Sequence, residues 1–260
     1  MKQLFFLAGL PRSGSTLLGA LLNQNPNIYV SPTSSFVEIL WRTYSLWSEK
    51  PYAEDFLGTK IQNMKIPFLK KVTQNYFSEL TSKPIVIDRR RAWQALQNIE
   101  MYNEIFGKKP KIICCVRNVE EIIASYKSLC SKNKRPWGPE FLQGNVFDTS
   151  FMNLEETWKS PFKSCLLLIE YNDLVKKTQA TLNKIYSFIN QPSFSHKLNN
   201  IKSEDPLKEV EKLYKLNGMF KLPSRIKKST TKIKILTKDE YNYYSLKNFW
   251  KDNETRSYTT

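Results

Sequence analysis

Residues 5–18 read FFLAGLPRSGSTLL. An apolar run stops at Gly9, a short loop carries Arg12 and Gly14, and Ser15, Thr16, Leu17 and Leu18 open what reads as a helix. An uninterrupted apolar run bounded by glycine predicts a strand buried on both faces, the habit of a parallel sheet. A strand, a tight loop and a helix in succession begin a layered α/β fold.

A loop at that junction exposes backbone N–H groups at the positive end of the helix dipole, where they bind a tetrahedral anion, phosphate or sulfate. From Gly9 the spacing is glycine, four residues, glycine, then Ser15 where a phosphate-binding P-loop carries lysine, with Thr16 in the closing Ser/Thr place. That lysine is what reaches the β and γ phosphates of a nucleoside triphosphate. The loop has instead Gly14 for close backbone approach, the hydroxyls of Ser15 and Thr16, and the guanidinium fork of Arg12. It is poorly equipped for triphosphate chemistry.

Outward from this loop, residues 84–87, 111–116 and 165–169 are further short apolar runs that read as buried parallel strands. Helical spacing recurs between them, in Leu17, Leu18, Leu21 and Leu22, in Val119, Ile122, Ile123 and Tyr126, and in Leu182, Ile185, Tyr186 and Ile189. The expectation is a three-layer P-loop-like α/β fold, a central mostly parallel sheet flanked by helices, in one domain over residues 1–260. Residues 34–82 read as a mainly helical insertion whose Trp41, Tyr44 and Trp47 pack as core, and residues 132–149 as a long loop. Residues 221–260 form a basic C-terminal segment, with Lys221, Arg225, Lys227, Lys228, Lys232, Lys234 and Lys238 and no acid among them.

Composition narrows the class. Forty Lys and Arg against 24 Asp and Glu give a formal charge of +16, which calls for an anionic ligand or a polyanionic surface. Cys114, Cys115, Cys130 and Cys165 form no CxxC pair and have one histidine to join them, which argues against a zinc site and suits a reducing, cytoplasmic compartment. Adjacent Cys114 and Cys115 should point to opposite faces of one buried strand. The apolar run after Lys2 reads as the first strand and not as a leader, and no segment approaches the roughly 20 apolar residues that span a bilayer, so a soluble protein is expected.

A second constellation lies in IICCVRNVEEIIASY, residues 112–126. Asn118 is a plausible N-cap with Glu121 three residues on, so a helix starts directly after Arg117. Ser125 then sits two turns along, near the face of Asn118, where it and Arg117 can converge on one anion.

PRSGST after a first strand, with Arg117 closing a later strand and Ser125 eight residues beyond it, resembles the sulfotransferases that use 3'-phosphoadenosine 5'-phosphosulfate (PAPS). The resemblance implies that Arg12, Ser13, Gly14, Ser15 and Thr16 bind the 5'-phosphosulfate without a metal. It also implies that Arg117 and Ser125 hold the 3'-phosphate. Tyr171 in EYNDL stands where some members place a tyrosine near the adenine, and Arg225, with Lys227 and Lys228, falls where the chain often returns to the cofactor or an anionic acceptor. Arg89 in VIDRRR stands for a family lysine, keeping its charge and losing its ability to give up a proton.

The family's glutamate base is missing, because Pro32, Thr33 and Ser34 occupy its place. Glu38 and Asp88 are the nearest replacements, and both stay open as the catalytic base. His196, the one histidine, reads as a surface or packing residue far in sequence from the cofactor loops. The function expected is transfer of a sulfuryl group to a hydroxyl, or less readily an amine, on a glycan, peptide or small molecule, with no specific nucleic-acid partner and no transmembrane segment. Two other readings stand beside it: a P-loop nucleotide kinase with Asp88 on magnesium, and a non-catalytic polyanion binder.

Overall fold

The computed structural model describes residues 2–138, 146–202, 207–226 and 233–251. At its centre is a five-stranded sheet of β1 (Gln3–Gly9), β2 (Ile28–Val30), β3 (Ile85–Arg89), β4 (Ile112–Val116) and β5 (Leu166–Glu170), in the order β2-β3-β1-β4-β5. Every neighbouring pair is parallel. Register places Leu7 beside Arg89 and Val116 beside Glu170, so all five strands end at one edge of the sheet. Four of them are the apolar runs of the sequence. The fifth, β2, has three residues inside NPNIYVSP, too short to register as a run.

Helices cover both faces. On one, α1 (Ser15–Leu22), α8 (Tyr171–Lys176) and α9 (Thr178–Phe188) bury Leu18, Leu174 and Leu182 against Leu7, Ile87, Ile113 and Cys115. On the other, α2 (Phe36–Leu46), α4 (Lys65–Leu80), α5 (Leu96–Phe106), α6 (Val119–Lys132) and α7 (Val146–Lys159) bury Phe36, Leu69, Ile99, Ile122 and Leu154 against Phe6, Val86 and Cys114. Cys114 and Cys115 therefore serve opposite cores as small apolar side chains, and burial pushes the Cys115 thiol up to about 12.

The 34–82 stretch is α2, the short α3 (Tyr52–Phe56), a 3₁₀ turn at Lys60–Met64, and α4. Trp41 and Tyr44 are half-buried on the core, and Trp47 packs on Phe56 and Phe68, with ring centroids 5.9 and 5.4 Å away. The long loop expected over 132–149 is shorter than that: α6 runs through Lys132 and α7 begins at Val146, the apolar Val146, Phe147 and Phe151 giving a helical face the loop reading overlooked. Beyond α9 come α10 (Lys208–Tyr214) and α11 (Lys238–Ser245). No helix among the described residues is long and apolar enough to cross a membrane.

Candidate active site

The loop between β1 and α1 has two glycines that no other residue could replace. Gly9 has φ +108°, and a Cβ there would stand 2.1 Å from the Cys115 carbonyl oxygen on β4. Gly14 is the N-cap of α1 with φ +97°, and a Cβ there would meet the Tyr171 ring at 2.8 Å. Between them Arg12 takes φ +59°, a left-handed conformation uncommon outside glycine and costing of order 1–3 kcal/mol. Ser13 turns inward, fully buried, and its hydroxyl donates to the Leu10 carbonyl. Ser13 thus shapes the loop while Gly14, Ser15 and Thr16 face outward at the helix start.

No side chain caps α1. Its first-turn amides are thus left for an anion, as helix termini require some partner for these groups. Arg12 lies beside this open end: its Nε donates to Ser125 Oγ at 3.3 Å and its Nη1 donates to the Met219 carbonyl. Burial lowers the Arg12 pKa, with the nearby positive charge of Arg117 acting in the same direction and the Tyr126 side chain opposing it.

Arg117, at the end of β4, is 5 % exposed and donates from Nε to Glu121 Oε2 at 2.8 Å. Its guanidinium carbon lies 4.5 Å from the centroid of the Tyr171 ring. Tyr171 opens α8 directly after β5, so one ring touches the loop at Gly14 and the arginine at the next strand end. Arg12, Ser125, Arg117 and Tyr171, drawn from four separate stretches of sequence, converge on one flank of the α1 N-terminus. Asn118 does stand at the N-cap of α6, but its side chain does not cap: Asn248 Oδ1 accepts from Val119 N at 2.9 Å, and Glu121 has turned to Arg117.

The other flank is made by the ends of β2 and β3. Arg89 points toward α1, its Nη1 3.7 Å from where a Cβ on Gly19 would be. Burial, with Arg91 adding like charge, pushes its guanidinium down to about 10. Its backbone N–H donates to Ser31 Oγ at 2.7 Å, and Ser31 donates to Asp88 Oδ1 at 3.0 Å.

The two candidate bases differ in setting. Asp88 has no exposed surface, and Trp93 Nε1 donates to its Oδ2 at 2.8 Å. Burial raises its pKa against the lowering effect of its hydrogen bonds to Trp93, Ser34 and Ser31. Glu38, on α2, accepts from Arg90 Nε at 2.5 Å through Oε1, while its buried Oε2 has no hydrogen-bond partner among the described residues.

Other predicted residues lie elsewhere. Arg225 is exposed, and its backbone bridges Asn199. Lys227, Lys228 and Lys232 fall outside the described residues. His196 packs within the molecule, with Tyr186 Oη 3.1 Å from its Nε2 and the Phe194 ring at 4.9 Å between centroids. Sequence reasoning did not find Glu121 as the Arg117 partner, nor Gln94, whose Oε1 accepts from Gly9 N at 2.7 Å and pins the loop. The i,i+4 spacing of Arg117 and Glu121 was the available signal for the first.

Comparison with known proteins gives one consistent result. The profile of the sulfotransferase family matches residues 5–195. The chain is similar to a 3-beta-hydroxysteroid sulfotransferase of Cavia porcellus, 33% identical over 93 residues, which is 32% of each chain. It therefore spans about a third of the length of this curated relative. In fold it is similar to the sulfotransferase domain of the Synechococcus PCC 7002 olefin synthase, with a TM-score of 0.58 at 20% identity, covering 100% of this chain and 96% of that one. The sulfotransferase domain of the curacin biosynthetic pathway gives a TM-score of 0.54 at 18% identity, covering 95% and 97%.

Proposed function

The chain belongs to the sulfotransferase family, and we propose that it transfers a sulfuryl group from PAPS to a hydroxyl, or less readily an amine, of an acceptor by in-line displacement. The observation that carries the reading is the convergence of Arg12, Ser125, Arg117 and Tyr171 beside an uncapped helix N-terminus. This donor set suits a ligand with two anionic ends and an aromatic base. The α1 amides and Arg12 take one anion, and Arg117 with Ser125 takes the other, while the Tyr171 ring offers an apolar face.

When bound, PAPS supplies the sulfuryl group and a bisphosphate leaving group. The chain's residues do the rest. Arg12 and the α1 amides meet negative charge as it grows on the bridging oxygen, and Arg89 meets the equatorial sulfuryl oxygens from the opposite flank. The acceptor oxygen forms a bond to sulfur as the bond from sulfur to the bridging phosphate oxygen breaks, and that oxygen keeps the electron pair. The acceptor proton passes to Glu38, whose Oε2 has no other partner among the described residues. Asp88, saturated by Ser31 and Trp93, instead fixes the β2 and β3 ends that present Arg89. Arg89 stays a cation throughout, so it stabilises charge and does not donate a proton.

Calorimetric binding of 3'-phosphoadenosine 5'-phosphate (PAP), beside 5'-AMP and ATP with magnesium, tests this. PAP should bind at least tenfold more tightly than 5'-AMP, a difference of about 1.4 kcal/mol, and Arg117→Ala should remove that preference. Tighter binding of ATP with magnesium would turn the assignment to a nucleotide kinase. Equal binding of all three, weakening together with salt, would turn it to a polyanion binder.

A further inference from the structure

A cavity of about 610 Å³ opens on the Arg89 flank, between α1, the end of β2 and residues 202–222. Thr16 of the anion loop lines it, whereas Arg117, Ser125 and Tyr171 do not. The cavity thus reaches the loop from the side opposite the residues assigned to the nucleotide, the direction from which an in-line acceptor must come. Its size is within the roughly 300–1,000 Å³ of small-molecule sites and well beyond what a lone sulfate needs.

Four cations line this cavity: Arg89, Lys202, Lys208 and Lys221. Among the described residues none of the four forms an ion pair. The one lining carboxylate, Glu211, is engaged elsewhere, its Oε1 accepting from Phe220 N at 2.6 Å and its Oε2 from Gly218 N at 3.0 Å. Those bonds fold residues 218–220 back over the site, where Met219 also meets Arg12. Between the charges the walls are apolar or aromatic, with Tyr29, Val30, Phe220 and Leu222. A buried guanidinium without a carboxylate is costly unless a ligand supplies the missing charge.

Resting on the sulfotransferase reading, we infer that this cavity selects an acceptor carrying its own anionic group on a compact apolar or aromatic body. The acceptor hydroxyl lies toward Thr16 and the anion between Arg89 and the lysines. A neutral acceptor of the same shape leaves the cations unmatched and binds less well. Selection by charge is then a property of the acceptor cavity, separate from recognition of the nucleotide.

Two fluorescent coumarins of matched shape test the inference: 7-hydroxycoumarin-4-acetic acid and the neutral 7-hydroxy-4-methylcoumarin. Binding is followed by fluorescence at physiological salt, with saturating PAP and without it. The expected result is at least a tenfold preference for the acid that persists with PAP present. In Lys208→Gln/Lys221→Gln the preference should fall below about twofold while the affinity of the neutral coumarin holds, which also shows that the variant is folded. Equal binding of the two coumarins to the unsubstituted protein overturns the inference. So does displacement of the acid by PAP, which would assign the cations to the nucleotide. If PAP itself fails to bind, the sulfotransferase reading falls, and the preference measured without PAP still reports on the charge of the cavity.

Discussion

The Arg117 guanidinium lies over the face of the Tyr171 ring, 4.5 Å from its centroid, and the edge of the same ring closes on Gly14. One phenol thereby sets the spacing between the anion loop and the arginine of the neighbouring strand. A cation over an aromatic face is worth about 0.5–2 kcal/mol depending on desolvation. Tyr171→Leu should weaken PAP binding by about three- to tenfold, and Tyr171→Phe, which keeps the ring, should bind within about twofold of the unsubstituted protein. Calorimetry on the pair separates the ring from the hydroxyl.

Gly14→Ala forces a methyl group into a left-handed backbone and against Tyr171 at 2.8 Å. The backbone part alone costs about 1–2 kcal/mol. The variant should melt lower and lose PAP affinity. Placing Tyr171→Ala beside it should relieve the steric part and leave the backbone part, so the two changes together should cost less than their sum. A double-mutant cycle on melting temperature reads that coupling directly.

Arg117 and Glu121 form an ion pair with both side chains at or below 10 % exposure. Removing one member of a buried pair strands the other, at about 3–5 kcal/mol. Glu121→Ala should therefore be strongly destabilised in the free protein. Saturating PAP should raise its melting temperature more than it raises that of the unsubstituted protein, because the 3'-phosphate then supplies the missing negative charge. An equal rise in both would remove Arg117 from the phosphate site.

Glu38 and Asp88 divide by what each substitution damages. Glu38→Gln should lower the single-turnover rate by about a hundredfold or more and leave the melting temperature nearly unchanged, since its bond to Arg90 is half-exposed. Asp88→Asn disturbs a fully buried carboxylate that accepts from Ser31 and Trp93, and should cost about 1–3 kcal/mol of stability. A normal rate in Glu38→Gln would return the proton to another group.

Arg89 predicts a gain in stability. Its pKa is lowered on folding to about 10, so the charged form is disfavoured in the folded chain. For a base whose folded pKa is depressed, the penalty is complete below the folded value and fades as pH rises through it toward the unfolded value. At pH 6–8 Arg89→Met should thus stabilise the free protein by about 1–2 kcal/mol, with no change across that window. The same variant should lose sulfuryl transfer. Thermal melts at pH 6, 8 and 10 check the sign: the advantage should begin to shrink at the highest pH.

Much of this architecture is legible in residue order, for a physical reason. Strands buried on both faces are written as apolar runs, so β1, β3, β4 and β5 stand out, and the Gly9 to Thr16 loop is local enough to be read as a unit. The three residues of β2 are too few to show a run. The partners that define the site are joined across long separations: Arg12 to Met219 spans 207 positions, and Gly9 to Gln94 spans 85. Ser125 shows the limit most clearly. Helical spacing sets it near Arg117, yet its hydroxyl accepts from Arg12, because the β1 loop arrives beside α6 only once the sheet is assembled.

Strand β1, the first made, is the middle strand of the sheet. Its partners are 82 residues later, at Gln3 with Ile85, and 106 residues later, at Phe6 with Ile112. During synthesis LFFLAGL therefore emerges with both edges open and nothing to pair with until well over a hundred residues have followed. Loops of that length close slowly, and an apolar strand left waiting is a target for aggregation. A ribosome-bound chain ending before β4 should be held by a chaperone at this segment, and release should follow completion of the β4 strand.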